Sequence, residues 1–319
     1  MKEYIGVDIG GTKIAVVKGD ASGKVLKKVR FLNDMTPETA IGRIIDEARS
    51  MGSAEAIGIS CGGPLDSKRG LILSPPNLPG WDSVPIVKLL EDALGIPAYL
   101  QNDADACALA EWKFGAGVGA DNIIFLTFGT GMGAGLILNG RLYSGSCGSA
   151  GEIGHVRLER FGPVGYGKEG SFEGFASGGG IAQLGRVAAL ERLQMGLKTA
   201  YCESADSLDK ISAQSIAQAA EAGDETAISV YRKCGEMLGR GLSILIDILN
   251  PEMIIIGSIY ARSGKLLEES MREAIRAEAL PHAAEACLIL PAKLGESLGD
   301  VAALSVAVNG ANIRTEEFV

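Results

Sequence analysis

No run of lysine or arginine occurs in this chain of 319 residues, and its formal net charge is −9. Binding to a phosphate backbone draws on clustered basic side chains, so a nucleic-acid partner is not expected. Also lacking is any apolar stretch long enough to cross a bilayer. The basic start and apolar core of a signal peptide are missing too, since Asp8 interrupts the first apolar run. A cytoplasmic protein without membrane contact is the expectation. The six cysteines (Cys61, Cys107, Cys147, Cys202, Cys234 and Cys287) contain no C-x-x-C pair, and a chain of this length needs no disulfide framework. They read as reduced, mostly buried thiols. Low-complexity linkers are absent as well.

What is present is 47% hydrophobic and 22% charged residues with 44 glycines, the composition of a turn-rich α/β protein long enough for two domains. The stretch Leu126 to Gly135, Leu-Thr-Phe-Gly-Thr-Gly-Met-Gly-Ala-Gly, runs from an apolar segment through four glycines into Leu136-Ile137-Leu138. Glycine admits φ > 0 and lets backbone N–H groups approach an anion without a Cβ in the way. A tight hairpin without ligand gives the same pattern, but the design recurs at the N-terminus. There Ile5 to Asp8, Ile9-Gly10-Gly11-Thr12-Lys13 and Ile14 to Val17 form strand, turn and strand. Two such hairpins suggest a duplicated fold holding one nucleotide from two sides.

Between them the pattern predicts a third strand near Val25 to Phe31, a helix from Thr36-Pro37 to about Ser50, and a buried strand Ala56 to Ser60 ending in Cys61-Gly62-Gly63-Pro64. The segment Pro75 to Trp81 has three prolines and a glycine. It is a binding loop or an exposed turn pinned by Trp81. A helix around Ile86 to Leu94 and a strand ending at Gln101 lead to Asn102-Asp103 and an alanine-rich helix. Those two residues are either an N-cap or chemistry placed at a strand mouth, as α/β sheets do. Further on, a strand at Asn122 to Thr127 precedes a long helix over Asp224 to Asn250. Gly235, Gly239 and Gly241 inside that helix each cost about 1 kcal/mol against alanine, which predicts close packing on a neighbour. A strand Met253 to Ile256 ends at Gly257, and a last helix spans about Asp300 to Val308.

The densest polar group is Gly148 to His155, followed by Glu173. Glu152 and His155, three residues apart, suit a polyhydroxylated ligand because both can accept hydrogen bonds from sugar hydroxyls. A solvated turn glutamate and a satisfied core histidine remain the alternatives at this point.

These motifs in this order resemble the ROK family (repressor, open reading frame, kinase). The resemblance rests on Asp8 to Lys13, Pro76 to Trp81, Asn102 to Ala104 through Glu111, Leu126 to Gly135, Asn139-Gly140, Ala150 to His155 and Ile256-Gly257. It implies an α/β, duplicated actin-like ATPase (ribonuclease H-like) fold in two domains with a cleft between them. We expect residues 1–118 with 298–319 in a small domain and 119–297 in a large one. The resemblance implies an ATP-dependent hexose kinase acting on glucose or a related aldohexose or N-acetylhexosamine. Asp103 would be the general base, and Gly63, Asn77, Asn102, Asp103, Glu152, His155 and Glu173 would hold the sugar. Asp8, Gly10, Gly11, Thr12, Lys13, Gly129, Thr130, Gly131, Gly133 and Gly257 would meet the nucleotide, Asp8 reaching Mg²⁺ through water or merely capping its turn. A homodimer is expected.

The chain departs from the family at a zinc site. Relatives carry three cysteines in a C-x-C-G-x-x-G-C stretch, and here Val164, Tyr166 and Ser171 occupy those positions. A tetrahedral site needs four ligands, so no structural zinc is expected. The loop is then expected to be held by packing of Phe161, Tyr166 and Phe172. Gly257-Ser258-Ile259 replaces the family's glycine run at the nucleotide, leaving nucleotide preference open. Alternative readings are a sugar-sensing regulator, disfavoured by a chain starting directly with a strand at Tyr4, and a catalytically impaired sugar-binding protein.

Overall fold

A computed structural model describes residues 2–316 of the chain, with side chains through residue 313. In chain order the first elements are β1 (Glu3–Ile9), β2 (Lys13–Asp20), β3 (Val25–Leu32), α1 (Pro37–Ser50), β4 (Ile57–Cys61), β5 (Leu65–Asp66), β6 (Leu71–Ile72), α2 (Ile86–Leu94), β7 (Ala98–Asn102) and α3 (Asp103–Phe114). Next come β8 (Ile123–Leu126), β9 (Ala134–Leu138), β10 (Arg141–Leu142), β11 (Val164–Gly165), β12 (Lys168–Glu169), α4 (Phe172–Phe175), α5 (Gly178–Gln194), α6 (Ala213–Glu221) and α7 (Glu225–Leu249). The chain ends with β13 (Met253–Ile256), α8 (Ile259–Glu278), α9 (Pro281–Ala286), β14 (Leu288–Pro291) and α10 (Leu298–Glu316). Two mixed five-stranded sheets result, ordered β3-β2-β1-β4-β7 and β10-β9-β8-β13-β14.

Contacts divide the chain into two compact units. One is Met1–Phe125 with Gly135–Ala150 and Lys293–Val319; the other is Leu126–Ala134 with Gly151–Ala292.

In the first unit β1 and β2 form an antiparallel hairpin, while β1 pairs parallel with β4 and β4 with β7. Val7, Ile9, Ile57, Ile59 and Leu100 point to one face, where they meet Ile41 and Ile44 of α1 and Trp81 of the proline-rich loop. On the opposite face Tyr4 and Val17 pack against Leu304, Ala307 and Val308 of α10. That helix lies so close to β4 that a Cβ on Gly58 would sit 2.1 Å from the Ala303 carbonyl oxygen. The C-terminal helix, longer than the expected Asp300 to Val308, thus completes the first unit. Thr36 caps α1 and Pro37 opens it, as its sequence predicts.

In the second unit α7 is the central helix, capped by Asp224 and ended by Asn250 in the left-handed region. Its glycines serve the predicted close approach. A Cβ at Gly235 would lie 2.2 Å from Ser270 Oγ, at Gly239 2.3 Å from the Met271 oxygen, and at Gly241 2.4 Å from the Phe172 ring. The cost to helix propensity is thereby offset by backbone-level packing against α8 and α4.

One packing expectation is overturned. Phe172 is fully buried, but Phe161 and Tyr166 are 68% and 76% exposed, so those two rings do not hold the 155–175 loop. The reason lies in its backbone. β11 pairs with β12, the Leu158 and Glu159 N–H groups both donate to the Gly170 carbonyl, and the Phe172 N–H donates to Val156. Ser171, at a cysteine position of the family pattern, is fully buried and caps α4 by accepting the Gly174 N–H at 3.1 Å. A hydrogen-bonded ladder and one buried ring secure a loop for which packing of three rings was expected.

Candidate functional site

In the first unit the predicted residues gather at the carboxyl ends of β1, β4 and β7. The turn after β1 is closed by the Gly10 N–H donating to Lys13 and by Asn33 Nδ2 donating to the Gly10 carbonyl at 2.8 Å. The proline-rich loop leans on this turn, since a Cβ at Gly11 would come within 2.6 Å of the Asn77 carbonyl oxygen. Trp81, 1% exposed, anchors that loop, and Asn77 is left exposed. From the Gly62 position, where a Cβ would stand, Asn77 Nδ2 is 3.7 Å and Asp103 Oδ2 3.9 Å away; from Gly63, Asn102 Nδ2 is 3.3 Å away. Gly63, Asn77, Asn102 and Asp103 therefore share one neighbourhood. Thr12 and Lys13 are exposed in the turn.

Asn102 is the N-cap of α3, its Oδ1 accepting the Ala104 N–H at 2.9 Å, and Asp103 Oδ1 accepts the same N–H at 2.8 Å. Capping and a strand-mouth carboxylate are therefore not alternatives here; one oxygen of Asp103 is fixed and the other faces Gly62. Asp103 keeps contact with solvent but stands in a recess, and this desolvation raises its pKa against the lowering pull of the backbone N–H. Half-buried Asp8 is pushed up to about 6, first by desolvation and then by the charges of Asp103 and Asp300, which Arg30 and Lys28 only partly offset. Asp300 was not singled out from the sequence. It is buried at the start of α10 and paired with Lys28. An acid directly after Gly299 at a helix start was the available signal.

Glu111, although part of the motif, is buried and fully engaged by the backbone. Its Oε2 accepts the Ala116 N–H at 2.7 Å and its Oε1 the Leu294 N–H at 2.9 Å. That is a structural role.

In the second unit the hairpin is shaped by internal bonds. Gly129 N–H donates to the Gly131 carbonyl, Thr127 N–H to Gly133, and Gly133 N–H to Thr127 Oγ1 at 2.9 Å. Glu173 braces it from below, its Oε2 accepting the Met132 N–H at 2.9 Å. A Cβ at Gly131 would sit 2.7 Å from the same oxygen and would displace that carboxylate. Glu152 precedes and His155 ends a single 3-10 turn over Ile153–His155, and both are exposed. The His155 carbonyl accepts from Lys168 Nζ, and its ring meets Tyr166 edge-on with centroids 6.4 Å apart.

Gly257 is buried at the end of β13 with its N–H on the Leu126 carbonyl, and Ser258 after it adopts φ 50°. Gly129, Thr130 and Ser258 border a cavity of about 720 Å³. Its other walls come from the start of α5 at Gly178-Gly179, from α6, and from Arg262 on α8. Sequence reasoning missed α6 and the Ser177-Gly178-Gly179-Gly180 start of α5. A capping serine ahead of three glycines was legible, and Ser177 does accept the Gly180 N–H at 3.0 Å.

All six cysteines are free thiols, and burial pushes the Cys61 thiol up to about 12. Among the described residues no group of three or more His, Cys, Asp or Glu is placed to hold a metal ion. No helix among them is long and apolar enough to cross a membrane.

Comparison with known proteins follows the same lines. The glucokinase of Thermotoga maritima is 33% identical over 310 residues, 95% of this chain and 96% of that protein. A xylose repressor of Caldicellulosiruptor bescii is 30% identical, covering 85% of this chain and 69% of the repressor. Among solved structures, a ROK family glucokinase from Streptomyces griseus in complex with glucose and AMPPNP is 33% identical. It superposes with a TM-score of 0.76 over 97% of this chain and 100% of that one. The fold is accordingly the actin-like ATPase fold of ROK structures. The sequence model of the ROK family matches residues 4–309, and the chain belongs to that family.

Proposed function

We propose that this chain is a sugar kinase that transfers the γ-phosphoryl group of ATP to a hydroxyl of a hexose, glucose or a related aldohexose or N-acetylhexosamine. The observation that carries this reading is the second unit's glycine hairpin opening on a cavity of about 720 Å³, a volume suited to a nucleoside. The first unit's strand-end carboxylate at Asp103 complements it. Similarity to glucokinases at 33% identity, one of them bound to glucose and AMPPNP, supports the same reading.

The roles follow from the chemistry. Phosphoryl transfer asks mainly for positioning and charge stabilisation, with a carboxylate to accept the hydroxyl proton. Asp103 takes that proton on Oδ2, because Oδ1 is committed to the Ala104 N–H. Asn102, Asn77 and the Gly63 backbone orient the sugar, with Glu152 and His155 accepting from further hydroxyls. Within the Gly10 to Lys13 turn and the Gly129 to Gly133 hairpin, backbone N–H groups other than those of Gly10, Gly129, Met132 and Gly133, which are bonded internally, meet the phosphates, and Gly257 borders the adenosine. Glu173 acts on the sugar, on the hairpin it braces, or on both.

The donors near Asp8 fit a divalent cation. A carboxylate raised to about 6 beside two further aspartates is an excess of negative charge that a cation relieves. Mg²⁺ favours one or two carboxylates plus phosphate oxygens over an all-protein cage. When bound it would neutralise phosphate charge, and Asp8 would hold it. The family's zinc does not fit: Val164 and Tyr166 are exposed apolar side chains at two ligand positions, and Ser171 is spent on a helix cap. The reading includes a homodimer in the cytoplasm with no nucleic-acid partner, given the net charge of −9.

A coupled ADP-release assay over glucose, mannose, fructose, allose, N-acetylglucosamine and N-acetylmannosamine tests the proposal. Turnover is expected with at least one sugar, and Asp103→Asn is expected to abolish it with sugar binding retained. Turnover with none refutes it and favours the second reading, a sugar-binding regulator, which the similarity to xylose repressors supports.

A further inference from the structure

The first unit contains a second cavity, of about 560 Å³, that the kinase reading does not use. It runs along β7, where Ala98 to Gln101 form one wall, and its back is made by Leu109 of α3 and Val306 of α10. Lys68 and Arg69, from the turn between β5 and β6, stand at its mouth. Both are exposed, Lys68 Nζ reaching the Ser146 carbonyl at 3.4 Å, and Arg69 takes part in no ion pair found among the described residues. Among the described residues lining the cavity the one acid, Glu91, is already engaged, its Oε1 accepting the Ala98 N–H at 3.0 Å. Tyr99, a further wall residue, has a buried hydroxyl with no hydrogen-bond partner. In a chain of net charge −9, two adjacent cations over a largely apolar hollow are a local reversal of sign.

We propose that this cavity is a ligand site for a small organic anion. Lys68 and Arg69 hold a phosphate or carboxylate group, and the apolar wall at Val87, Leu109 and Val306 takes the body of the molecule. Its volume lies in the range of about 300–1,000 Å³ common to metabolite sites. The site also has a route to Asp103. Ala98 to Gln101 line it, β7 ends at the next residue, Asn102, and α3, which supplies Leu109, begins directly after it at Asp103. A ligand seated on β7 and α3 therefore bears on the two elements that aim the catalytic carboxylate, so occupancy changes sugar affinity. This second half rests on the kinase reading; the binding half does not.

Isothermal titration of the full chain with citrate, phosphoenolpyruvate, fructose 1,6-bisphosphate and inorganic phosphate tests it. At least one organic anion is expected to bind the wild type saturably. The double variant Lys68→Ala/Arg69→Ala should weaken it by about tenfold or more, the loss expected for charge-assisted bonds, while Asp103→Asn retains it. Both substituted cations are exposed, so the double variant keeps the fold, which its melting temperature checks. Fructose 1,6-bisphosphate binding without citrate assigns the site to phosphates and citrate without fructose 1,6-bisphosphate assigns it to carboxylates, while phosphoenolpyruvate, which carries both groups, binds in either case. No binding, binding unaltered by the double variant, or inorganic phosphate binding as tightly as every organic anion would each overturn the site. For the coupling, the glucose dissociation constant is measured with and without the bound anion, and an unchanged value refutes it. Lack of ADP release with every sugar would sink the kinase reading and leave the binding result standing.

Discussion

Glu173 can be separated into two roles by a pair of substitutions. Its carboxylate accepts the Met132 N–H at 2.9 Å, and Met132 is 5% exposed. Glu173→Ala leaves that N–H without its partner in a place where water reaches poorly, a loss of about 1.5–3 kcal/mol for a bond to a charged acceptor. Glu173→Gln keeps an acceptor oxygen and should cost less than about 1.5 kcal/mol. For a unit of this size each kcal/mol moves the melting temperature by about 2–4 °C. Calorimetry should thus show Glu173→Ala melting roughly 3–12 °C lower, with Glu173→Gln in between. If the hairpin binds phosphates in its braced shape, the nucleotide dissociation constant rises by about tenfold or more in the alanine variant. Gly131→Ala should reproduce that nucleotide effect, because its Cβ would displace the same carboxylate from 2.7 Å. An alanine variant with wild-type melting and nucleotide affinity but a raised sugar KM would refute the bracing argument and leave Glu173 a sugar ligand alone.

Four further outcomes are expected. Desolvation in its recess raises the Asp103 pKa, so if Asp103 is the base and works ionised, kcat/KM should fall on acidification at a pH above the ordinary aspartate value of about 3.9; an acid limb at or below that value contradicts it. Asp8 has a native pKa of about 6, so between about pH 4 and 6 the native state holds a proton that the unfolded chain releases, and stability falls as pH rises through that window. In metal-free protein Asp8→Asn should therefore melt higher than wild type at pH 7.5 and equally below about pH 4, while losing turnover; equal melting at both pH values refutes the burial argument. Ser258 sits at φ 50°, ψ −105°, so Ser258→Gly should relieve roughly 1–3 kcal/mol of backbone strain, seen as a raised melting temperature. Gly58→Ala should destabilise by about 1–3 kcal/mol or more by pushing α10 off β4, and an unchanged denaturant midpoint would contradict the 2.1 Å approach.

Which parts of this molecule were legible in its sequence depended on the range of the interactions involved. The β1–β2 hairpin, the Thr36 cap, α2 over Ile86–Leu94 and the Asp224 cap are local, set by residues within a turn of one another, and they appear where periodicity and capping place them. The glycines of α7 are local in sequence and global in consequence. Three residues that oppose a helix are tolerated only where a neighbour's backbone comes close, and that conflict was readable without knowing the neighbour. Asp300 belongs to the other kind. Its pairing with Lys28 spans most of the chain, and the local signal, an acid at a helix start, does not name that partner.

The loop at 155–175 shows why a substitution pattern can reveal a loss without revealing the replacement. Val164, Tyr166 and Ser171 removed the means of holding a metal, and aromatic packing was the expected substitute because apolar burial is the usual source of loop stability. Phe172 follows that logic, but Phe161 and Tyr166 do not, since the loop's own backbone supplies the donors and acceptors: the Leu158, Glu159, Gly170 and Phe172 N–H groups are all bonded within it. A short two-stranded ladder needs no particular side chain, so it leaves almost no trace in composition. Ser171 makes the point at a single residue. Its position was read as a missing ligand, whereas its hydroxyl is the cap of α4, the helix that begins with Phe172 and carries Glu173 beneath the hairpin. If the hairpin binds phosphates, replacing Ser171 with Ala should therefore weaken that binding through Glu173, an effect that would be invisible if the serine were only a vacated metal position.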